Sequence, residues 1–461
     1  MFKLRSQNTH QEDFRMRETR NAQLSIFQIY APHALGEQLK LLSDLLDEYP
    51  LMLDRVERDF RAPDTAATGA NGLSVESVFR CLLLKQILKV SYEKLSFHLS
   101  DSPTYRTFAR LHDDQVPSRS GLQSAIRHIR PETLEQANQI LMSDLLEKNT
   151  LKLDWLRIDS TVTDSNIATP SDSQLLNDGV RVLSRLMSQS KDKTGVKIRF
   201  TDQRKKSKSL SYRIFNAKKA EKDALYPQLL GYATLVMKQS RSAIDKVRIE
   251  ADNSENAQRW ISKVEHFLSL LPIVIDQTQR RVFNDEDVPA SQKIVSLFEP
   301  HTDIIVKGQR DVQFGHKINL ATQQDGFITY CRIEEGNPAD ALLYMPVLDA
   351  SQSDYQSVPN AVVADGCYAS QENVKLAKAL GVKRNVFSKM VGLTLSDMGV
   401  KKKTRNRLRD FRAGVEGNIS ELKRAFSASK ATWKGHDGFK AFVWSSVLSY
   451  NLIRLTRFSS A

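Results

Sequence analysis

Cysteine is scarce in this sequence. Cys81, Cys331 and Cys367 are the three among 461 residues, an odd number with no C-x-x-C pair, which argues against a disulfide framework and a thiolate zinc site. Long apolar runs are missing too, and none approaches the roughly 18 residues that cross a bilayer. The opening stretch, MFKLRSQNTHQEDFRMRETR, has no apolar core of the kind a signal peptide carries, so a soluble, intracellular protein without membrane contact is expected. G-x4-G-K-[ST], G-x-G-x-x-G, H-E-x-x-H and G-x-S-x-G are all absent, which disfavours P-loop, dinucleotide, zincin and serine-hydrolase chemistry. The nine histidines are scattered, none with the close His or carboxylate spacing of a dedicated zinc site. A tyrosine recombinase using a late nucleophile such as Tyr450 would need an H-x-x-R element, and the sequence has none. If the chain is an enzyme, carboxylates are the remaining candidates.

What is abundant is positive charge. Lys and Arg outnumber Asp and Glu by 67 to 54, a net +13 that favours an anionic partner. The excess is local. Twelve basic residues face three acids between Lys191 and Lys222, and seven face one between Lys401 and Arg412, so these two runs carry the whole excess. The remaining composition is ordinary for a globular protein, and the length suits about three domains.

Hydrophobic spacing gives the organisation. Leu39, Leu42 and Leu46, then Leu53, Val56 and Phe60, recur at helical intervals with Pro50 as the break between them. Pro63 to Gly72 has linker composition. Short helices are predicted from Leu73 to Arg130, one ending near Val90 and another opened by a Ser120–Gln123 capping box. Between Leu151 and Ile167 the β-rich run DWLRIDSTVTDS predicts a strand. Leu176, Val180, Leu183 and Met187, and later Ile261, Val264, Leu268 and Leu271, are helical stripes within a block of about 171 to 300. KINLAT and FITYCRI flank a QQDG turn as a hairpin. A helix near Ala341 to Leu348, a buried strand at NAVVA, and helices over Gln371 to Leu380 and Val415 to Ser427 complete an α/β pattern.

Three carboxylates stand out on this scaffold. Asp159 sits at the polar end of WLRID, where it projects from a sheet edge or merely caps a turn, and Asp154, Asp164 and Asp172 compete for the same role. Asp365 closes the apolar run AVVAD before Gly366, at the carboxyl end of a buried strand, where α/β folds hold ligands. Glu416 begins a helix on which Arg412 and Lys423 share its face; an exposed Arg412–Glu416 ion pair is the plainer reading of that spacing. Carboxylates brought together need cations, and hard oxygen ligands suit Mg²⁺ or Mn²⁺. Two such ions can drive an in-line displacement at phosphorus. Arg412 and Lys423 would then hold the phosphate.

At these residues the sequence resembles the bacterial insertion-sequence transposases of the DDE type, most closely the ISNCY group. The resemblance is carried by RIDSTVTDSNIATPSDSQLLNDGVRVLSRL, VFNDEDVPASQKIVSLFEPHTDIIVKGQRDVQFGHKINLAT, VVADGCYAS and RAGVEGNISELKRAF. The family pattern Y-x2-R-x3-E-x6-K is kept at Arg412, Glu416 and Lys423, whereas Arg409 stands at its tyrosine position. In DGCYAS, Tyr368 is retained and Cys367 intervenes. The resemblance implies an α/β fold: an RNase H-like mixed-sheet catalytic core (151–170 and 301–461) interrupted after its first strand by a helical, basic insertion (171–300). A helical amino-terminal segment (1–62) and a helical DNA-binding region (73–150) precede it. It implies Asp159, Asp365 and Glu416 as a catalytic, metal-binding triad with two Mg²⁺ ions, for which Mn²⁺ substitutes. It further implies cleavage at transposon ends, 3′-hydroxyl transfer to target DNA, a homodimer or higher assembly on DNA, and a bacterial cytoplasmic, nucleoid-associated location.

With a phosphodiester substrate, the basic runs read as backbone contacts: Arg204, Lys205 and Lys206 in the first, Lys401, Lys402, Lys403, Arg405, Arg407 and Arg409 in the second. Lys317, in an element resembling the family's G-Y/H-K, is either a further phosphate contact or an exposed strand lysine. Tyr212, Phe215 and Tyr226 stack on bases or pack in a core. The helices bearing Arg80, Lys85, Lys89, Arg119, Arg127 and Arg130 recognise transposon ends or form a dimerisation bundle. The alternative function is a transposase-derived DNA-binding or regulatory protein without turnover.

Overall fold

The computed structural model describes residues 18–21, 29–61, 72–112, 115–251, 254–306 and 312–459. The 63–72 linker, apart from Gly72, and most of 1–28 lie outside the described residues.

Among the described residues, seven helices come first: α1 (Ala34–Glu48), α2 (Pro50–Arg58), α3 (Val75–Leu88), α4 (Tyr92–Asp101), α5 (Pro103–Ala109), α6 (Arg119–Ile126) and α7 (Pro131–Glu147). Pro50 and Pro131 occupy first-turn positions, where a missing N–H costs nothing. Side chains of Ser74, Ser91, Ser102 and Ser118 accept backbone N–H groups at the starts of α3 to α6. The cap of α6 is thus Ser118 bonded to Gly121, and the predicted Ser120–Gln123 box lies inside the first turn. α3 is buried almost all round. Its Arg80, 1% exposed, is held by Glu76, Asp47, Ser43 and the Phe108 carbonyl.

A mixed sheet follows, built from β1 (Trp155–Asp164), β2 (Asp303–Ile305), β3 (Gln313–Gln323), β4 (Ile328–Ile333), β5 (Ala361–Ala364) and β6 (Arg384–Phe387). Its order is β2-β3-β1-β5-β6, with β4 also paired to β3. β3 runs antiparallel to β1, β2 and β4, whereas β1, β5 and β6 are mutually parallel. The β3–β4 hairpin matches the expected pair of strands, and β6 is a strand the hydrophobic pattern did not announce. α13 (Tyr344–Tyr355) and α14 (Gln371–Leu380) cover one face, sharing a core with Ile158, Val362 and Ala364.

Between β1 and β2 the chain forms α8 (Asp172–Ser188), α9 (Ser190–Thr194), α10 (Arg204–Asn216), α11 (Lys219–Glu250) and α12 (Glu255–Phe283), which bury an apolar cluster of their own. α15 (Lys402–Ala425) crosses the sheet, and α16 (His436–Ser459) ends the described chain. Apolar side chains of α16 join those of α1 to α7, β3 and β4 in one continuous core, so the amino-terminal helices and the sheet are packed as a unit.

Candidate active site

Strand register brings the two aspartates together. β1 and β5 pair in parallel up to Ile158 opposite Ala364, so Asp159 and Asp365 are the next residues on adjacent strands. Paired residues of a sheet point to the same face. Asp365 leaves the end of β5, as the apolar run implied. Asp159 is mid-strand instead, because β1 continues against β3 to Asp164.

Arg157, two residues before Asp159 and on the same face, docks α15 over that face. Its guanidinium, 6% exposed at residue level, donates to Thr322 Oγ1 (2.9 Å), the Phe411 carbonyl (3.1 Å) and Asn418 Oδ1 (3.0 Å). The Phe411 ring lies 4.7 Å from it, and Trp155 packs edge-on against Phe411. Gly414 makes the approach possible, since a Cβ there would stand 2.6 Å from Arg157 Cζ. α15 begins at Lys402 and not near Val415, which puts Glu416 in its middle and makes the second basic run its first half.

One guanidinium joins the three acids. Arg412 lies 2.9 Å from Glu416 Oε1, 3.2 Å from Asp159 Oδ2 and 3.8 Å from Asp365 Oδ1. The predicted Arg412–Glu416 pair therefore exists, but as one arm of a larger cluster. Asp159 Oδ1 also accepts the Ser160 N–H at 2.8 Å. Asp365 Oδ1 accepts the Ser388 hydroxyl at 2.5 Å. Partial burial pushes the Asp365 carboxyl up, but Ser388, the Gly366 N–H, Arg412 and Lys389 together outweigh that and hold it below the usual aspartate range. The carboxylates spread around the guanidinium instead of closing to within 4.8 Å of one another. Three carboxylates exceed the charge of Arg412, and the donor set is all oxygen, which fits a hard divalent cation.

Other candidates fall elsewhere. Asp154 accepts the Asn360 amide at the start of β1, Asp172 is held by Arg281 and Gln277 beside α12, and Asp164 has Lys423 and Lys430 as its neighbouring cations. None joins Arg412. Lys423 thus points along the same helix toward the far end of β1. Lys317 is neither an exposed strand lysine nor free for phosphate: it is 4% exposed and donates to Pro338 O (2.6 Å) and Asp340 Oδ1 (3.1 Å). Tyr368 is core, its hydroxyl on Asn319. Tyr450, 1% exposed, donates to Gly326 O, which excludes it as a nucleophile.

The basic runs differ in what they expose. On α10, Lys205, Lys206 and Lys208 are exposed, and so are Tyr212 (72%) and Phe215 (70%), while Leu210 and Ile214 face inward. Arg204 is engaged by Asp202 (2.6 Å) and Tyr226 is core. Lys401, which precedes α15, and Lys402, Lys403, Arg407 and Arg409 on it are exposed, with Arg407 over the Trp155 ring, whereas Arg405 is half-buried on the Ser388 carbonyl. Among the earlier helices, Arg80 and Lys85 are buried, and burial lowers the Lys85 amine to about 8. Lys89, Arg119, Arg127 and Arg130 are exposed.

Sequence reasoning missed Arg157 and Ser388, which position the site, and a cluster of His301, His316 and His436. His301 and His316 both lie in a segment quoted for the resemblance, but His436 is 120 residues beyond His316, and only the fold brings the three rings together.

Comparison with known proteins bears on this geometry. Residues 273–452 match the family of the transposase DDE domain, and residues 29–127 match a transposase domain (DUF772). No curated protein and no solved structure matches the chain. Asp365 and Glu416 fall within the first match, and Asp159 lies in the stretch between the two. A DDE domain implies an RNase H-like core, in keeping with the mixed sheet. Assignment to the ISNCY group rests on the sequence segments alone. With both matches covering over half its length, the chain belongs to the DDE transposases of insertion sequences.

Proposed function

We propose that Asp159, Asp365 and Glu416 are the catalytic carboxylates, and that the protein cuts DNA at the ends of its element by hydrolysis and joins the freed 3′-hydroxyl to target DNA. The observation carrying this reading is the convergence of three acids, from β1, the end of β5 and α15, on one guanidinium. Held by these three residues, two Mg²⁺ ions, or Mn²⁺ in their place, would activate the attacking oxygen and stabilise the leaving one. The Gly366 N–H donates to the Ser388 hydroxyl oxygen and that hydroxyl donates to Asp365 Oδ1, a relay that orients the carboxylate and favours its ionised form. Arg157 fixes the helix bearing Glu416. Arg412 offsets the repulsion among the carboxylates and offers a planar fork to a phosphate entering between them.

Lys401, which precedes α15, and the exposed Lys402, Lys403, Arg407 and Arg409 along it lead DNA toward this point, and α10 gives a second basic face where Tyr212 and Phe215 stack on bases. Lys89, Arg119, Arg127 and Arg130 of the amino-terminal helices contact transposon ends. The active assembly is a dimer or larger on DNA, in the bacterial cytoplasm at the nucleoid. The test is end cleavage and strand transfer by Asp365→Ala and Glu416→Gln. Both activities should vanish while end binding persists, and retained Mg²⁺-dependent cleavage in either variant would sink the assignment.

A further inference from the structure

A second polar cluster lies away from the carboxylates. His301 precedes β2, His316 is on β3, and His436 is the first residue of α16. One nitrogen from each ring lies within 4.8 Å of the others. His316 pairs with Thr163, four residues beyond Asp159 on β1, so about 13 Å of strand separates the two sites.

Proton placement is the informative feature. Glu299 Oε2 lies 3.0 Å from His301 Nε2, and Asp303 Oδ2 lies 2.8 Å from His316 Nδ1. An ionised carboxylate only accepts, so both imidazoles turn their N–H outward to these partners. Glu299 and Asp303 are themselves fixed by the N–H groups of Gly435 (2.8 Å) and Gly336 (2.7 Å). Facing inward, His301 Nδ1 and His316 Nε2 then meet at 2.8 Å as two lone pairs. A cation between them removes the repulsion. A proton would serve two nitrogens, but a third is present: His436 Nε2 is buried without a hydrogen-bond partner. A metal ion uses all three.

We infer that His301, His316 and His436 form a binding site for a borderline divalent metal of the Zn²⁺ class, with a water in the fourth position. Imidazole donors select Zn²⁺ over Mg²⁺, and carboxylates behind metal-bound imidazoles are the usual outer partners. Bond lengths of about 2.0–2.1 Å in a tetrahedron require nitrogens roughly 3.4 Å apart, so the close pair at 2.8 Å would open by about half an ångström on binding. Glu299, Asp303 and Asp437 add negative charge around the site against the ammonium of Lys440. The edge of Phe439, 4.7 Å from the His316 ring, walls one side. The metal would tie the start of α16 to the β2–β3 edge of the sheet.

The experiment is Co²⁺ and Zn²⁺ titration of the full chain after chelator treatment, with Mg²⁺ in excess. One equivalent of Co²⁺ should give the visible d–d bands of a nitrogen-bound tetrahedral ion, displaced by Zn²⁺ and untouched by Mg²⁺. His436→Ala should weaken Zn²⁺ binding at least about 100-fold with an unchanged circular dichroism spectrum, and Glu299→Gln about 10–100-fold. Asp365→Asn should leave it unchanged. Failure of the unmutated protein to take up Zn²⁺, or uptake lost in Asp365→Asn and kept in His436→Ala, would overturn the proposal.

Discussion

Two glycines of α15, three residues apart, test how that helix is held. At Gly417 a new Cβ meets nothing within 4 Å, so Gly417→Ala gains helix propensity alone, about 1 kcal/mol. At Gly414 the new Cβ would lie 2.6 Å from Arg157 Cζ and 3.1 Å from Nη2. Restoring normal contact moves the guanidinium or the helix by roughly 1 Å, enough to stretch hydrogen bonds of 2.9 to 3.1 Å past their useful range. Overpacking of this kind costs about 1–3 kcal/mol, which exceeds the propensity gain. Gly414→Ala should therefore be less stable than wild type by about 1 kcal/mol, and less stable than Gly417→Ala by about 2 kcal/mol, from paired urea denaturation curves. Because Glu416 and Arg412 ride on the same helix, a displacement near 1 Å should also lower DNA cleavage about 100-fold in Gly414→Ala. Equal stability of the two alanine variants would refute the claim that Arg157 sets the approach of α15.

Lys402→Ala and Arg409→Ala should each reduce the salt dependence of DNA binding by about one unit of log–log slope, whereas Lys317→Met should leave the slope unchanged and lower stability, seen by titrating affinity against salt. Tyr450→Phe should lose about 1–3 kcal/mol of stability through its buried hydroxyl network and still transfer strands; loss of a covalent protein–DNA intermediate in that variant would contradict this. Since the Asp365 pKa is depressed, its favourable contacts are present above the unfolded value of about 3.9 and are lost as pH falls through the folded one. The stability difference between wild type and Asp365→Asn should be flat between about pH 7 and pH 5 and shrink below about pH 4, and a change in the upper range would contradict it.

Much of the architecture could be read from spacing. The Leu39–Leu46 stripe, the Pro50 break, the strand around Asp159, the hairpin and the AVVAD strand end all depend on local periodicity, and they fold as their periods indicate. What depends on long-range packing did not show. Arg157 looked like one more basic residue, because its acceptors on β3 and α15 are more than 160 residues away. Lys317 and Arg80 looked available for DNA, since a lysine or arginine in one-dimensional sequence carries no sign of burial beside Asp340 or Glu76. Glu416 was placed at a helix start because the basic first half of α15 masks its apolar stripe. Likewise the histidine cluster draws on three elements that only the sheet and α16 bring together.

The central claim is that the carboxylates on β1, β5 and α15 hold the metal that cuts DNA. Asp365→Cys, made with Cys367→Ser to remove the exposed thiol beside it, tests it directly, because a soft thiolate binds Mg²⁺ poorly and accepts Mn²⁺ better. End cleavage should be absent with Mg²⁺ and return with Mn²⁺. Cleavage as strong as wild type in Mg²⁺, with no dependence on which metal is supplied, would contradict the account.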